Sequence, residues 1–264
     1  MISSFALSQL SSALRVGQVQ RLVRLLAEAA EVPVSERRQH VIAGLRGILH
    51  AAVGGCVTDC DFEPSGRGAF TAVVLDGWDG TTLATIEALA RNGSMWHPAL
   101  RQLAQACPLS AGSLATGTRN ELVDDRAWYG SEYVEGFMLP ACIDHGLFSS
   151  LRGSSPSVVQ GLGFYRERND RPFDEGDRAL LQLFHAQCQN ILAAPAKDVN
   201  ELLVARLSPR QLDTLRHLRA GLSDKEIAAR LGISPHTVNH YTKQIYRQFG
   251  VQSRAALVAK LASA

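Results

Sequence analysis

The chain has 264 residues, a formal net charge of +2, 46% hydrophobic residues and five cysteines. That length accommodates two domains. No stretch is apolar for long enough to span a bilayer, the first ten residues lack the signature of a secretory leader, and irregularly spaced cysteines make no disulfide framework, so a cytoplasmic protein is expected.

Ser8 to Ala30 reads as a helix, with Leu10, Leu14, Val19, Leu22, Val23, Leu25 and Leu26 mostly on one face and Gly17 weakening its middle. It serves either as a packing helix of the next domain or as a dimerisation helix. Val32-Pro-Val-Ser35 is a break. Ser35 then caps a second helix over Glu36 to His50, with Val41, Ile42, Leu45, Ile48 and Leu49 as its apolar stripe.

Ala51 to Phe62 and Ala69 to Leu75 read as two strands of a hairpin around the turn Glu63-Pro-Ser-Gly-Arg-Gly68. Helices are expected over Thr81–Arg91, Pro98–Ala106 and Asp124–Phe137, then strands over Ile143–Leu151 and Ser157–Arg166, and a closing helix over Asp174–Leu192. This order predicts an α+β domain with an antiparallel sheet flanked by helices. The segment from Gly161 to Leu181 is similar to the end of a GAF domain, where a last strand leads through Pro-Phe to an Asp-capped helix. The resemblance implies a GAF/PAS-like sensory or dimerisation domain over residues 1–192, with residues 1–30 as its N-terminal helix. Fold analogy chooses no ligand.

Trp78, Trp96, His97, Trp128, Tyr129, Tyr133, Cys142 and His145 concentrate between the second and third strands. They are either core residues or the wall of a ligand pocket, which combines aromatic side chains with a few polar groups. Trp78, Trp96, His97, Trp128, Tyr133 and His145 are the pocket candidates, for a small molecule the sequence does not identify. Cys56 and Cys60, four apart on a strand, face one side of it. Without further ligands they are read as buried structural thiols rather than a zinc site. No catalytic residue, metal site or cofactor is assigned: phosphate-binding and nucleophile-elbow motifs are missing, as is the acidic, Thr/Ser and Lys pattern of a phosphoacceptor domain.

Ala193 to Asn200 is Pro/Ala-rich and marks a linker over residues 193–202, where the charge balance changes. Residues 201–264 hold ten Lys/Arg against four Asp/Glu, whereas residues 1–200 hold seventeen against twenty-one. A basic end on an acidic body localises nucleic-acid binding to residues 203–264.

Within that end, Ser223 and Glu226 form a capping box for a helix carrying Ile227, Ala228 and Leu231, and Gly232 closes it. Ser234 and Pro235 open a second helix. Val238, Tyr241, Ile245 and Phe249 are expected on its buried side, and His236, Asn239, His240, Lys243 and Arg247 opposite. That opposite face has donors and cations but no carboxylate, as a helix lying in the major groove requires. An ordinary solvated helix face would mix both charge signs.

The flanks extend the pattern: Leu207 to Gln211, Gly221 to Ala228, Ser234 to Val238 and Gly250 to Arg254 match in order the motifs of the LuxR-type (GerE/NarL-type) DNA-binding domain. Gln211, Asn239 and Tyr241 depart from its usual Glu, Lys and His, although Gln211 still completes a capping box with Ser208. The resemblance implies a four-helix helix-turn-helix domain in a transcription regulator that binds double-stranded DNA. Asn239, His240 and Lys243 are its candidates for base or groove contacts. Lys225, Arg230, Ser234, His236, Thr237 and Arg247 are the other DNA-binding candidates, mainly toward phosphates. Ala256, Leu257 and Leu261 correspond to the family's dimer-forming face, implying a homodimer that reads half-sites about one helical turn apart. RNA polymerase is among the open partners. Two other readings remain: a GAF-like redox enzyme using Cys56, Cys60 or Cys142, or a partner-binding module, each joined to a DNA-binding domain.

Overall fold

A computed structural model describes residues 13–153, 157–193, 203–204 and 207–262. Two compact units divide the chain near residue 197. The linker expected over residues 193–202 falls almost wholly outside the described residues, as does the start of the first helix.

In the N-terminal unit, α1 spans Val16–Glu31 and buries Gln18, Leu22, Leu25 and Ala29 at helical spacing. Gly17 therefore lies in its first turn, where the cost of glycine is smaller than in the middle. Helix α2, Val34–Ile48, starts earlier than expected. Pro33, with φ −51° and ψ 142°, occupies the N-cap position, so Ser35 is inside the helix and caps nothing.

Strands β1 (Val53–Cys60), β2 (Ala69–Asp76), β3 (Leu114–Thr118), β4 (Ile143–Arg152) and β5 (Val159–Glu167) form an antiparallel sheet of order β2-β1-β5-β4-β3. Edge strand β3, Leu-Ala-Thr-Gly-Thr, gives almost no apolar alternation and was not anticipated. One sheet face, with Cys56, Leu147, Leu162 and Phe164, joins a core with Leu22 and Leu25 of α1, Ile42 and Leu45 of α2, and Leu180 and Phe184 of α7 (Glu175–Cys188). The other face meets α3 (Gly80–Asn92) and α4 (Pro98–Ala106). The unit is thus α+β with helices on both sheet faces. Cys56 is buried, whereas Cys60, expected to be buried as well, is half-buried beside the Thr71 hydroxyl.

The single helix expected over Asp124–Phe137 is broken. After the short turn α5 (Arg119–Leu122), α6 covers only Asp125–Tyr129. The Gly130 N–H closes it on the Arg126 carbonyl, and a π-helical turn follows over Val134–Met138. Asp174 caps α7 in a capping box with Asp177. The Arg166 guanidinium is buried against Asp177 (3.0 Å), whose other oxygen accepts from Gln18 of α1 (2.8 Å).

In the C-terminal unit, α8 (Pro209–Arg219), α9 (Asp224–Leu231), α10 (Pro235–Phe249) and α11 (Arg254–Ala262) enclose a core containing Leu215, Leu218, Ile227, Val238, Ile245, Phe249 and Leu257. The expected boxes form: Ser208 with Gln211 opens α8, and Ser223 with Glu226 opens α9. Gly232 closes α9 at φ +66°, and Gly250 closes α10 at φ +63°, both left-handed conformations that favour glycine.

Candidate nucleic-acid interface and a buried cavity

Helix α10 follows α9 after three intervening residues, Gly232, Ile233 and the capping Ser234, whose hydroxyl accepts the Thr237 N–H at 3.1 Å. The core stripe of α10 is Val238, Thr242, Ile245 and Phe249. Tyr241, expected in that stripe, is half-buried, because spacings of four, three and four bring Thr242 inward instead. The opposite face leaves His236, Asn239, His240, Lys243 and Arg247 exposed, and Lys225 and Arg230 are exposed on α9. Lys225, Arg230, Lys243 and Arg247 form no ion pair among the described residues, in contrast to Arg216, which pairs with Asp213. Four cations without partners leave positive charge available for an anionic lattice such as a phosphate backbone.

Residues 205–261 match the family described as bacterial regulatory proteins, luxR family. The C-terminal unit is a LuxR-type helix-turn-helix domain. The chain is 41% identical over 56 residues to an HTH-type regulator of Mycobacterium tuberculosis, Rv0890c, over 21% of this chain and 6% of that protein. It is 33% identical over 88 residues to the probable transcriptional regulatory protein SgaR of Hyphomicrobium methylovorum, over 32% of this chain and 42% of that protein. The chain therefore spans less than half the length of either relative. A crystal structure of Escherichia coli SdiA superposes on 92% of this chain and 95% of its own, with 16% identity and a TM-score of 0.43, too loose a likeness to assign a fold.

Within the LuxR-type domain, Arg254 is a structural residue that the sequence did not single out. Its guanidinium donates to the carbonyls of Leu218 and Leu222. Of the residues expected on a dimer face, Ala256 is exposed and Leu261 half-buried, but Leu257 is wholly enclosed in the domain's own core and is not available to a partner. Its place on a dimer face came from the family resemblance alone, and here the same residue packs into the domain's core.

The N-terminal unit holds a small, largely apolar cavity of about 50 Å³ between the sheet and helices α3 and α4. Ile86, Leu89, Phe70 and Phe148 wall it, and Gly55, Gly161 and Gly163 form part of its floor. Of the six pocket candidates, Trp78 lines this cavity, with its Nε1–H fixed on the Gly54 carbonyl at 2.7 Å. The others are placed elsewhere. Trp96 borders a separate, more polar cleft with Arg101 and Glu132. His145 is half-buried beside Arg119 and Phe173.

His97, Trp128 and Tyr133 come together, but as core. The His97 Nδ1 accepts the Ala99 and Leu100 amides at the start of α4, leaving Nε2–H to donate to the Tyr165 hydroxyl at 3.0 Å. Burial holds this imidazole neutral, with its pKa down at about 3. Trp128 Nε1–H donates to the buried Asp144 at 2.7 Å. Aromatic residues crowd both cores and pockets, so composition does not separate the two.

Sequence reasoning missed Asp59. It is buried on β1, lines the cavity and receives the Ala69 amide on Oδ1 at 2.7 Å. Burial pushes its carboxyl up to about 7, against the opposing influence of the Ser94 hydroxyl and the Ala69 amide. The five cysteines are free thiols. Burial pushes those of Cys56 and Cys107 up, away from the low pKa of a reactive thiolate.

Proposed function

We propose that this protein is a sequence-specific DNA-binding transcription regulator, acting in the cytoplasm as a homodimer, with α10 in the major groove. The unpaired cationic stripe on α9 and α10 carries this reading. On a LuxR-type domain it gives charge for phosphates and donors for base edges on one exposed surface. Asn239, His240 and Lys243 point toward the groove. Lys225, Arg230, His236, Thr237 and Arg247 flank it toward the phosphates, and Ser234 holds the first turn of α10.

The N-terminal unit is the sensing domain of this regulator, of GAF/PAS-like kind. Its strand order and its apolar cavity support that role. Selection of genomic fragments by the full-length protein tests the proposal. A pseudo-palindromic preferred site, weakened by Lys243→Ala, is the expected result. Equal binding to all fragments, or a preferred site indifferent to every substitution on α10, would overturn it.

A further inference from the structure

We propose that α1 is a self-association surface, which pairs antiparallel with the same helix of a second copy of this chain. This rests on the reading of the protein as a homodimer and names where its N-terminal units meet. One side of α1, with Gln18, Leu22, Leu25 and Ala29, is buried in its own unit. A second apolar stripe runs beside it. Val16, Val23, Ala27 and Ala30 are exposed, and the half-buried Val19 and Leu26 touch the core only from its edge. Val16, Val19, Val23, Leu26 and Ala30 recur at spacings of three and four, which keeps them on one helix face. Val16 is 73% exposed and Val23 61%, the two highest values for a large apolar side chain among the described residues. Such a continuous apolar patch on a helix marks a contact surface.

The charges along α1 select the occupant and its direction. Arg21 and Arg24 come first along the helix, and Glu28 and Glu31 follow. Arg24 and Glu31, seven residues or about two turns apart, flank the stripe on one side. Neither forms an ion pair among the described residues. A parallel second copy would set Arg24 against the partner's Arg24 and Glu31 against the partner's Glu31. An antiparallel copy crossing between Leu26 and Ala27 places Val23 opposite the partner's Ala30. Arg24 then lies level with a point between the partner's Glu28 and the partner's Glu31. The same direction opposes the two helix dipoles. Ala27 and Ala30 are small, and the side chains at a contact set how closely two helix axes approach. A lipid surface fits this face less well, because an interfacial helix is cationic along its polar side, where α1 has Glu28 and Glu31.

Sedimentation of the full-length protein without DNA, over a roughly hundredfold range of concentration, tests this. The unaltered protein is expected to reach twice the mass of one chain. Val23→Glu puts a carboxylate into the apolar contact and should leave single chains. Their helix content by circular dichroism should be unchanged, because Val23 is exposed on one chain. Arg24→Glu and Glu31→Arg, each alone, set like charges together. Each should raise the dimer dissociation constant about tenfold, since a symmetric dimer contains the contact twice. Arg24→Glu combined with Glu31→Arg restores opposite charges across the pair and should recover the unaltered affinity.

A dimer indifferent to Val23→Glu and to both charge reversals would overturn this surface while leaving the homodimer reading in place. Charge reversals that weaken the dimer singly and no less when combined would overturn the antiparallel direction. If Val23→Glu keeps the mass but lowers the melting temperature, the stripe packs within its own chain and the proposal fails. If the unaltered protein is a monomer throughout, the homodimer reading fails as well.

Discussion

The Arg254 guanidinium reaches back from the start of α11 to the Leu218 carbonyl near the end of α8, with Nε at 2.9 Å. A second donor, Nη1, takes the Leu222 carbonyl at 2.6 Å. The last carbonyls of a helix lack intrahelical partners, and a cation there also meets the negative end of the helix dipole. Arg254→Ala should therefore destabilise the C-terminal unit by about 1–3 kcal/mol. Arg254→Lys should recover only part, since an ammonium group lacks the planar fork that spans both carbonyls. Denaturant unfolding followed by circular dichroism measures both, and equal stability of all three proteins would contradict this capping role.

On the exposed face of α10, Lys243 and Asn239 should separate by the kind of binding they support. Lys243→Ala is expected to weaken binding to all sequences and, if its partner is a phosphate, to reduce the salt slope by about one. Asn239→Ala is expected to cost about 1–3 kcal/mol at the preferred site and to relax selectivity at one base pair. Titrations at several salt concentrations, on preferred and scrambled DNA, distinguish the two.

Asp59 sets a pH dependence of known sign. Its carboxyl titrates at about 7 when folded against an ordinary value of 3.8. The unfolded chain therefore releases this proton more readily, and folding stability falls as pH rises from about 3.8 to 7. Asp59→Asn removes that loss. The variant's advantage over the unaltered protein should be larger at pH 8 than at pH 5, by on the order of 2 kcal/mol. An advantage independent of pH would show that Asp59 is not a buried, titrating acid.

His97 and His185 work in the opposite direction. Burial holds each imidazole at about 3, below the ordinary 6.5. Their neutral forms support folding above pH 6.5, and that support is lost as pH falls toward 3. In the Asp59→Asn variant, thermal stability of the N-terminal unit should accordingly climb through this range and level off above about 6.5, which a series of thermal melts would follow.

Asp177 is buried and faces the equally buried Arg166. Asp177→Ala would strand a guanidinium whose remaining partners are carbonyls, among them Leu49 at 2.6 Å. It would also release Gln18 of α1. The expected loss is about 3–5 kcal/mol in equilibrium unfolding, whereas Arg171→Ala, on a half-exposed member of the same network, should lie near the 0–1 kcal/mol of a surface pair.

The C-terminal unit was legible because its punctuation is local. Ser208, Ser223 and Ser234 cap, and Gly232 closes a helix, at positions decided within four residues of each other. The N-terminal unit was legible where apolar spacing is strong, as in α1, α4 and α7, and where turn residues separate apolar runs, as in the β1–β2 hairpin. Edge strand β3 carries too few apolar residues to announce itself, and its pairing with β4 depends on residues more than thirty positions away, as Thr116 with Ser149 shows. Asp59 was invisible for a related reason. A lone carboxylate in a strand reads as a solvent-facing residue until Phe70 and Val159 are brought beside it.

The two units bury separate sets of leucines, isoleucines and phenylalanines, one around α1, α2 and α7 and the other around α10. Each set can melt on its own, so calorimetry on the whole chain can register two events rather than one. A ligand that enters only the N-terminal cavity raises the first event by mass action. Any accompanying movement of the second event then reports coupling between the ligand site and the stability of the C-terminal unit, measured without DNA in the cell.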